Sequence, residues 1–247
     1  MRNIKIVFQY DGRNYFGLQK QKNKKTIQGE IENALFEVFK QKINITLAGR
    51  TDRGVSAKAM CANFFVDSDI DDKKITYPLN FVLPPDIRIL SSIEKEQNFH
   101  ARFDAKRKTY VYGLYVSNFS LPLYPFETQF KTKLNFGAMR KAIKFFVGEK
   151  DFSCCTTNVK ENESCVRKIF SAKLKRQVID GVEHFYFTFV GNGFLYNQVR
   201  AMVGTTILAG LGKVKPKEIK KIIESKNRAL GGKVMPPEGL VLEKIEY

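Results

Sequence analysis

The stretch AGRTDRGVSA, residues 48–57, places a single carboxylate, Asp52, between Arg50 and Arg53. A carboxylate that is desolvated and correctly aimed can attack a sugar carbon, as it does in many glycosyl-transferring enzymes. The two arginines would favour the ionised carboxylate and could bind phosphates on either side of a target nucleotide. Because hydrolysis of a glycosidic bond normally requires two carboxylates, a lone acid favours covalent chemistry without activated water. The structural alternative is an ordinary turn in which Asp52 bonds to its own backbone.

Two further positions combine charge with apolar or aromatic neighbours. In AKRKTYVYGLY, the cations Lys106, Arg107 and Lys108 lead directly into Tyr110. Such a combination can hold an RNA backbone and stack a base drawn out of its helix, although Tyr110 could equally line a sheet face. Arg200, in GNGFLYNQVRAMVG, lies beside the apolar stripe of a helix, and an unpaired buried guanidinium is costly. Arg200 must therefore reach an acid or the surface.

The charge of the chain indicates a polyanionic partner. Lys and Arg number 42 against 25 Asp and Glu, a formal net charge of +17 over 247 residues. An excess of this size favours nucleic acid or an anionic membrane. The most apolar stretch, residues 201–212, is too short to span a bilayer, and the N-terminus alternates like a strand and does not resemble a secretory signal. We therefore expect a cytoplasmic protein that binds nucleic acid and no membrane.

Neither a metal nor a nucleotide cofactor is predicted. The four cysteines form no CxxC pair and the chain has 2 histidines, which excludes a zinc site of the deaminase kind. Reduced, structurally neutral thiols are the expected state of the cysteines. The GNG at 191–193 resembles the start of a dinucleotide fingerprint but lacks its third glycine, because Tyr196 stands there.

Hydrophobic periodicity predicts the strands and helices that position these residues. The predicted elements follow the same order in each half of the chain. In the first half, Ile4, Ile6, Phe8 and Tyr10 alternate as a strand. The elements expected to follow are a helix capped by Thr26 with Ile27, Ile31, Leu35 and Val38 on one face, short strands INITLA and CANFFVD, a helix near 71–81, and a strand from Ile87.

The second half repeats this order. Its predicted elements are the strand KTYVYGLYV, a helix with Met139, Ile143, Phe146 and Val147 that Gly148 ends, the pair SCVRKIFSAKL and EHFYFTFVG, a helix from Phe194 carrying Leu195, Val199, Met202, Val203 and Ile207, a short helix from Pro216, and the strand GLVLEKIEY.

Both halves look like ferredoxin-like split βαβ units, so the predicted fold is α+β. The two halves would form a broad, mostly antiparallel sheet with helices on one face and the other face free for RNA. We expect an N-terminal half, 1–105, that carries the Asp52 loop and a C-terminal half, 106–247, that carries Tyr110 and Arg200.

Five ordered motifs resemble the tRNA pseudouridine synthase A family almost end to end. They are YDGRNYFGLQKQ at 10–21, AGRTDRGVSA at 48–57, NFHARFDAKRKTY at 98–110, GNGFLYNQVRAMVG at 191–204 and MPPEGLVLEKIEY at 235–247. The resemblance implies an enzyme that isomerises uridine to pseudouridine on the 3′ side of the anticodon stem-loop of tRNA, at tRNA positions 38, 39 or 40, without a cofactor. It also implies a homodimer.

The resemblance assigns roles to individual residues. Asp52 matches the catalytic aspartate, attacking either the ribose or the uracil, and Arg50 matches an arginine that holds the target nucleotide flipped out. Tyr110 matches a tyrosine that stacks on the base, and Arg200 matches an arginine that pairs with the catalytic acid. Further expected RNA contacts, from charge and motif position, are Arg53, Arg102, Lys106 and Arg107.

The sequence departs from the family pattern at Ser56, where a histidine is common, and at Leu18, where a tryptophan is usual. These departures bear on local packing and tRNA contacts more than on the chemistry. Two rival functions stay open: a non-catalytic protein with two RNA-recognition-like units, which leaves Asp52 and Arg200 without a reason, and a nucleoside hydrolase, which would release uracil.

Overall fold

The computed structural model describes residues 1–159 and 164–247, which form two compact units. The first unit comprises Met1–Lys106 together with Leu242–Tyr247, and the second comprises Arg107–Val241. In each unit a mostly antiparallel sheet carries helices that contact one another, so the helices of a unit lie on the same face of its sheet. The predicted α+β class is confirmed.

The first unit has the element order predicted for a ferredoxin-like unit. Its elements are β1 (Arg2–Tyr10), α1 (Ile27–Phe39), β2 (Thr46–Leu47), β3 (Ser56–Val66), a 3-10 turn (Asp72–Lys74), α2 (Thr76–Val82) and β4 (Ile87–Lys95). The strands are arranged β4-β1-β3, with β2 also paired to β3. In the antiparallel β1–β3 register, Ile6 lies opposite Ala62 and Phe8 opposite Met60, so the alternating apolar side chains predicted for β1 meet those of β3.

Local signals explain where the helices of this unit begin and end. The Thr26 side chain accepts a hydrogen bond from the Gly29 backbone N–H at 3.3 Å, which caps α1 as predicted. The helix ends where Lys40 adopts a left-handed conformation with φ of 54°. The single helix expected near 71–81 is two elements in the structure. A 3-10 turn precedes α2, whose first turn accommodates Pro78 because a proline there removes no helical hydrogen bond.

The sheet face opposite these helices is partly covered. The amides of Asn3 and Asn63 are buried there and hydrogen bond to each other at 2.9 Å. They also bind the backbone of the segment after β4, at the Phe99 carbonyl and the Ala101 N–H. The expectation of a free second face is therefore wrong for this part of the sheet, because buried amides require partners that the covering segment supplies.

The second unit contains more strands than its sequence pattern predicts. Its elements are β5 (Arg107–Val116), β6 (Thr128–Phe130), α3 (Phe136–Ala142), β7 (Gly148–Asp151), β8 (Val166–Ile179), β9 (Val182–Gly191), α4 (Gln198–Gly210), α5 (Glu218–Glu224) and β10 (Leu240–Glu246), whose last residues belong to the first unit. The strand order is β5-β9-β8-β7, and β6 pairs with β5 in parallel. The strands β6 and β7 were not predicted, since three or four residues are too few for a period-two signal.

Helix boundaries in this unit differ from the expectation by a few residues. The helix expected to end at Gly148 is α3 followed by a 3-10 turn, and Val147 lies 40% exposed outside both. The helix expected from Phe194 begins four residues later, because Asn197 has a left-handed φ of 60° that interrupts regular helix. The helix expected from Pro216 is α5, which starts at Glu218.

Within the described residues, no helix is long and apolar enough to cross a membrane.

Candidate active site

The loop that carries Asp52 connects β2 to β3 and is anchored at both ends. Ala48 is fully buried and donates its backbone N–H to the Cys61 carbonyl at 2.9 Å. On the other side of the loop, the Val55 N–H donates to the Asp52 carbonyl at 3.2 Å, which closes a tight turn through Arg53 and Gly54. A backbone turn is therefore present here, as the structural alternative for Asp52 also assumed, and Asp52 occupies its first position, half-buried.

A second loop, residues 11–25, braces the Asp52 loop from β1. The Leu18 N–H donates to the Thr51 carbonyl at 3.2 Å. Gly17 has a φ of +96°, and a Cβ there would lie 3.1 Å from the same carbonyl. A Cβ on Gly12 would overlap the Val55 carbonyl outright, so the glycine of the YDG motif allows the two backbones to approach. The contacts of Gly17 and Leu18 hold the peptide group before Asp52, and that of Gly12 holds the end of the loop at Val55.

The two arginines beside Asp52 are exposed, as an RNA-binding role requires. The Arg53 guanidinium carbon lies 4.5 Å from the centroid of the Phe16 ring, and the Lys24 ammonium lies 4.5 Å from the same ring. Arg50 lies two residues earlier on the same loop. The structure thus brings Asp52, Arg50 and Arg53 together in the first unit, with Lys24 beside them.

Ser56 departs from the family pattern but performs a definite structural task. Its hydroxyl is buried and accepts a hydrogen bond from the Gly12 N–H at 3.0 Å, which joins β3 to the YDG motif. Leu18, the second departure, is fully buried. Both positions belong to the packing that braces the loop.

In the second unit, Tyr110 lies on β5 with its side chain 8% exposed. Its ring packs edge-to-face against Phe194, with the ring centroids 5.2 Å apart. In the β5–β9 register it lies opposite Phe189, on the sheet face that also holds Tyr112. Tyr112 is fully buried and its hydroxyl bonds to Thr128 and to the Pro236 carbonyl, which agrees with a purely structural role for Tyr112.

Arg200 lies in the first turn of α4 and its guanidinium is held by the protein itself. The Nε atom donates to the Met235 carbonyl at 2.6 Å, and Nη1 donates to Asn197 Oδ1 at 2.8 Å. Asn197 is the left-handed residue that precedes the helix. Two fixed acceptors leave the guanidinium little rotational freedom, so its remaining N–H groups point in a defined direction.

The remaining predicted RNA contacts are all exposed and separate into two groups. Arg102 and Lys106 belong to the first unit, where the Arg102 guanidinium lies 5.6 Å from the Phe103 ring. Arg107 begins the second unit and lies 5.0 Å from the Phe170 ring.

Residue patterns alone did not identify the groups that support these arginines. The Met235 carbonyl and the Asn197 side chain hold Arg200, and the Phe16 ring lies against Arg53. Phe16 and Asn197 lie within motifs that had been noticed, but nothing in their spacing signals a contact with an arginine. Among the described residues, no group of His, Cys, Asp and Glu could hold a metal ion.

Comparison with known proteins identifies the family. The family model described as tRNA pseudouridine synthase matches residues 6–104 and 142–247. The tRNA pseudouridine synthase A proteins of Caldicellulosiruptor saccharolyticus, Acetivibrio thermocellus and Clostridium acetobutylicum are 43%, 42% and 40% identical to this chain, and each match covers all of both chains. A solved Cbf5-Nop10-Gar1 complex overlaps 82% of this chain and 54% of that chain at 12% identity and a TM-score of 0.33, too low to bear on the fold. The chain belongs to the tRNA pseudouridine synthase family.

Proposed function

We propose that this protein isomerises uridine to pseudouridine in the anticodon stem-loop of tRNA, on its 3′ side. The observation that carries the proposal is identity of about 40% over the whole chain with named tRNA pseudouridine synthases A, together with an acid-bearing loop braced at both ends. An RNA-modifying isomerase also gives a reason for the net charge of +17, which supplies salt-dependent affinity for the tRNA backbone.

Asp52 is the proposed catalytic nucleophile. The reaction breaks the bond between uracil N1 and the ribose, rotates the base and forms a bond from ribose C1′ to uracil C5, while C5 loses a proton and N1 gains one. The carboxylate attacks either the ribose or the uracil and is released when the new carbon–carbon bond is complete. Atoms balance without water or a redox cofactor, and a dry site protects the intermediate from hydrolysis.

The other residues receive supporting roles. Tyr110 would stack on the flipped uracil, which offsets part of the few kcal/mol that flipping costs. Arg50 would hold the flipped nucleotide by its phosphate, and Arg200, held by Met235 and Asn197, would support the catalytic acid. Arg53, Arg102, Lys106 and Arg107 would contact the RNA backbone.

The proposal also includes the two halves, the location and the oligomeric state that we expect from the sequence. The N-terminal half, 1–105, contributes the Asp52 loop, and the half 106–247 contributes Tyr110 and Arg200. The protein would act in the cytoplasm as a homodimer.

The test measures tritium release from tRNA transcripts labelled at uracil C5, with tRNA binding measured in parallel. We expect the wild type to release label without free uracil. Asp52→Asn should bind tRNA but release no label. A matched control, Asp69→Asn, makes the same charge change at an exposed carboxylate of the same unit and should react like the wild type.

Each contrary result points to a rival. Free uracil among the products would indicate a hydrolase. Tight binding of several tRNAs without tritium release from the wild type would favour the non-catalytic RNA-binding function. Normal activity of Asp52→Asn would show that Asp52 takes no part in the chemical reaction.

A further inference from the structure

Phe16 stands out because two cations converge on its ring. The Arg53 guanidinium carbon and the Lys24 ammonium each lie 4.5 Å from the ring centroid. Like charges repel, so gathering them at one place is unfavourable unless something offsets the repulsion. The negatively polarised faces of the aromatic ring offset part of it, and a bound anion would offset the rest.

The backbone that carries the Phe16 ring is held by hydrogen bonds on both sides of the peptide. The Phe16 N–H donates to the Lys25 carbonyl at 2.9 Å, and the Gln21 side-chain amide donates to the Phe16 carbonyl at 2.7 Å. Two residues later, Leu18 is bonded to Thr51 of the Asp52 loop. The backbone that carries the ring is therefore fixed relative to the Asp52 loop.

A guanidinium that stacks on an aromatic ring with its flat face keeps its N–H donors available, because these lie in the plane of the group and fit the oxygens of a phosphate. Arg53 directly follows Asp52 in the chain, so a phosphate bound by Arg53 belongs to the nucleotide at the site or to an adjacent one.

We propose that Phe16 is a positioning residue that directs Arg53 and Lys24 toward one backbone phosphate next to the target uridine. The inference rests on the proposed function only in taking tRNA as the ligand. Phe16 touches no reacting atom and acts through the two cations, so it contributes to RNA affinity and placement and leaves the chemical step unchanged.

The test combines binding and kinetics on an anticodon stem-loop RNA. Binding is followed by fluorescence anisotropy at several salt concentrations, and kcat and KM by tritium release. Phe16→Leu should raise both the dissociation constant and KM about three- to tenfold, the range expected for losing one or two cation–π contacts, with kcat within about twofold of wild type. Phe16→Tyr keeps the ring and should stay within about twofold of wild type.

Arg53→Ala should weaken binding and reduce the salt slope by about one, as loss of one phosphate contact does. Combined with Phe16→Leu, it should weaken binding by less than the product of the two single effects, because both changes remove the same contact. Lys24→Ala changes an exposed side chain that lies outside the Asp52 loop, and it should also weaken binding. The matched control is Phe136→Leu, which removes a half-buried ring 5.6 Å from Arg140 in the second unit and should bind RNA normally.

Independent, multiplicative effects of Phe16→Leu and Arg53→Ala would overturn the proposal. So would weak binding by Phe16→Tyr, or a fall in kcat at unchanged KM. If the wild type released no tritium while the anisotropy results held, the proposed isomerase would fail and the phosphate contact would stand.

Discussion

The hydroxyl groups of Tyr10, at the end of β1, and Thr51, next to Asp52, lie 2.7 Å apart. Both side chains are buried, at 4% and 8% exposure, so the hydrogen bond between them is shielded from water. It ties the Asp52 loop to a strand in the middle of the first unit's sheet. The sequence shows both residues within motifs but does not show that they meet.

Removing either hydroxyl should therefore destabilise the protein. We expect Tyr10→Phe or Thr51→Val to lower the free energy of unfolding by about 1–3 kcal/mol, because each removes one hydroxyl of a buried hydrogen bond. The double variant should be less destabilised than the sum of the two, since both changes remove the same hydrogen bond. Urea unfolding of the four proteins measures this, and additive losses would show that the bond contributes little.

A side chain at Gly17 should reduce activity by more than its left-handed backbone conformation alone would explain. Gly17→Ala places a methyl group at a φ of +96° and 3.1 Å from the Thr51 carbonyl, whereas Gly181→Ala places one at +79° with nothing within 4 Å. Both should lose roughly 1–2 kcal/mol to the left-handed conformation. Gly17→Ala should in addition reduce kcat/KM about tenfold or more, because small displacements of a catalytic loop are costly.

Comparing the two variants separates the effect of backbone strain on activity from the effect of displacing the Asp52 loop. Thermal unfolding and tritium release are measured on both variants. If Gly181→Ala lost as much activity as Gly17→Ala, general destabilisation would explain the result and the brace on Thr51 would not.

How well the sequence predicts the structure depends on how far apart along the chain the interacting residues lie. The strand β1 and the start of α1 were predicted because alternation and the Thr26 cap are local signals. The start of α4 was placed four residues early, because the left-handed conformation of Asn197 leaves no mark on the apolar spacing. The strand β6 pairs with β5, which lies elsewhere in the chain, and its three residues are too few to show a strand pattern.

The same limit applies to the candidate site. Asp52, Tyr110 and Arg200 were selected from residue type and motif, which sequence displays directly. The groups that fix Arg200 are a carbonyl 35 residues away and a side chain three residues away. A backbone carbonyl carries no residue identity, so no sequence pattern could have assigned Met235 to this task.

Asn197 should act on the reaction through Arg200. Asn197→Gly removes the acceptor of the Nη1 hydrogen bond but suits the left-handed φ of 60°, so the protein should remain folded. With one anchor lost, Arg200 becomes more mobile, and we expect kcat to fall about ten- to hundredfold, which corresponds to about 1.5–3 kcal/mol for a hydrogen bond to a charged group.

The conservative control is Asn197→Asp, which keeps an oxygen acceptor and tolerates the same conformation. Its kcat should exceed that of Asn197→Gly, at similar melting temperatures. Equal activity of wild type and Asn197→Gly would show that the Asn197 hydrogen bond is not needed to hold Arg200.

Asp11 and Arg13 predict how stability responds to acid. Burial raises the pKa of the Asp11 carboxyl, but its hydrogen bonds and charge interaction with Arg13 outweigh burial, and the pKa is lowered below its ordinary value. The pairing is a fork, with Arg13 Nε 2.9 Å from Oδ1 and 3.0 Å from Oδ2. A carboxyl whose pKa is lower in the folded state contributes stability above its unfolded pKa and loses that contribution as pH falls through the folded value.

The melting temperature of the wild type should therefore fall more steeply below about pH 5 than that of Asp11→Asn, which carries no titrating group at this position. Arg13→Gln removes the cation that helps to lower the pKa of Asp11 and should also flatten the acid limb. The rising repulsion within a chain of net charge +17 acts on all three proteins and does not affect the comparison. Parallel acid limbs in the three proteins would mean that the fork adds no stability, and the YDG motif would then depend on Gly12 and its bond to Ser56 alone.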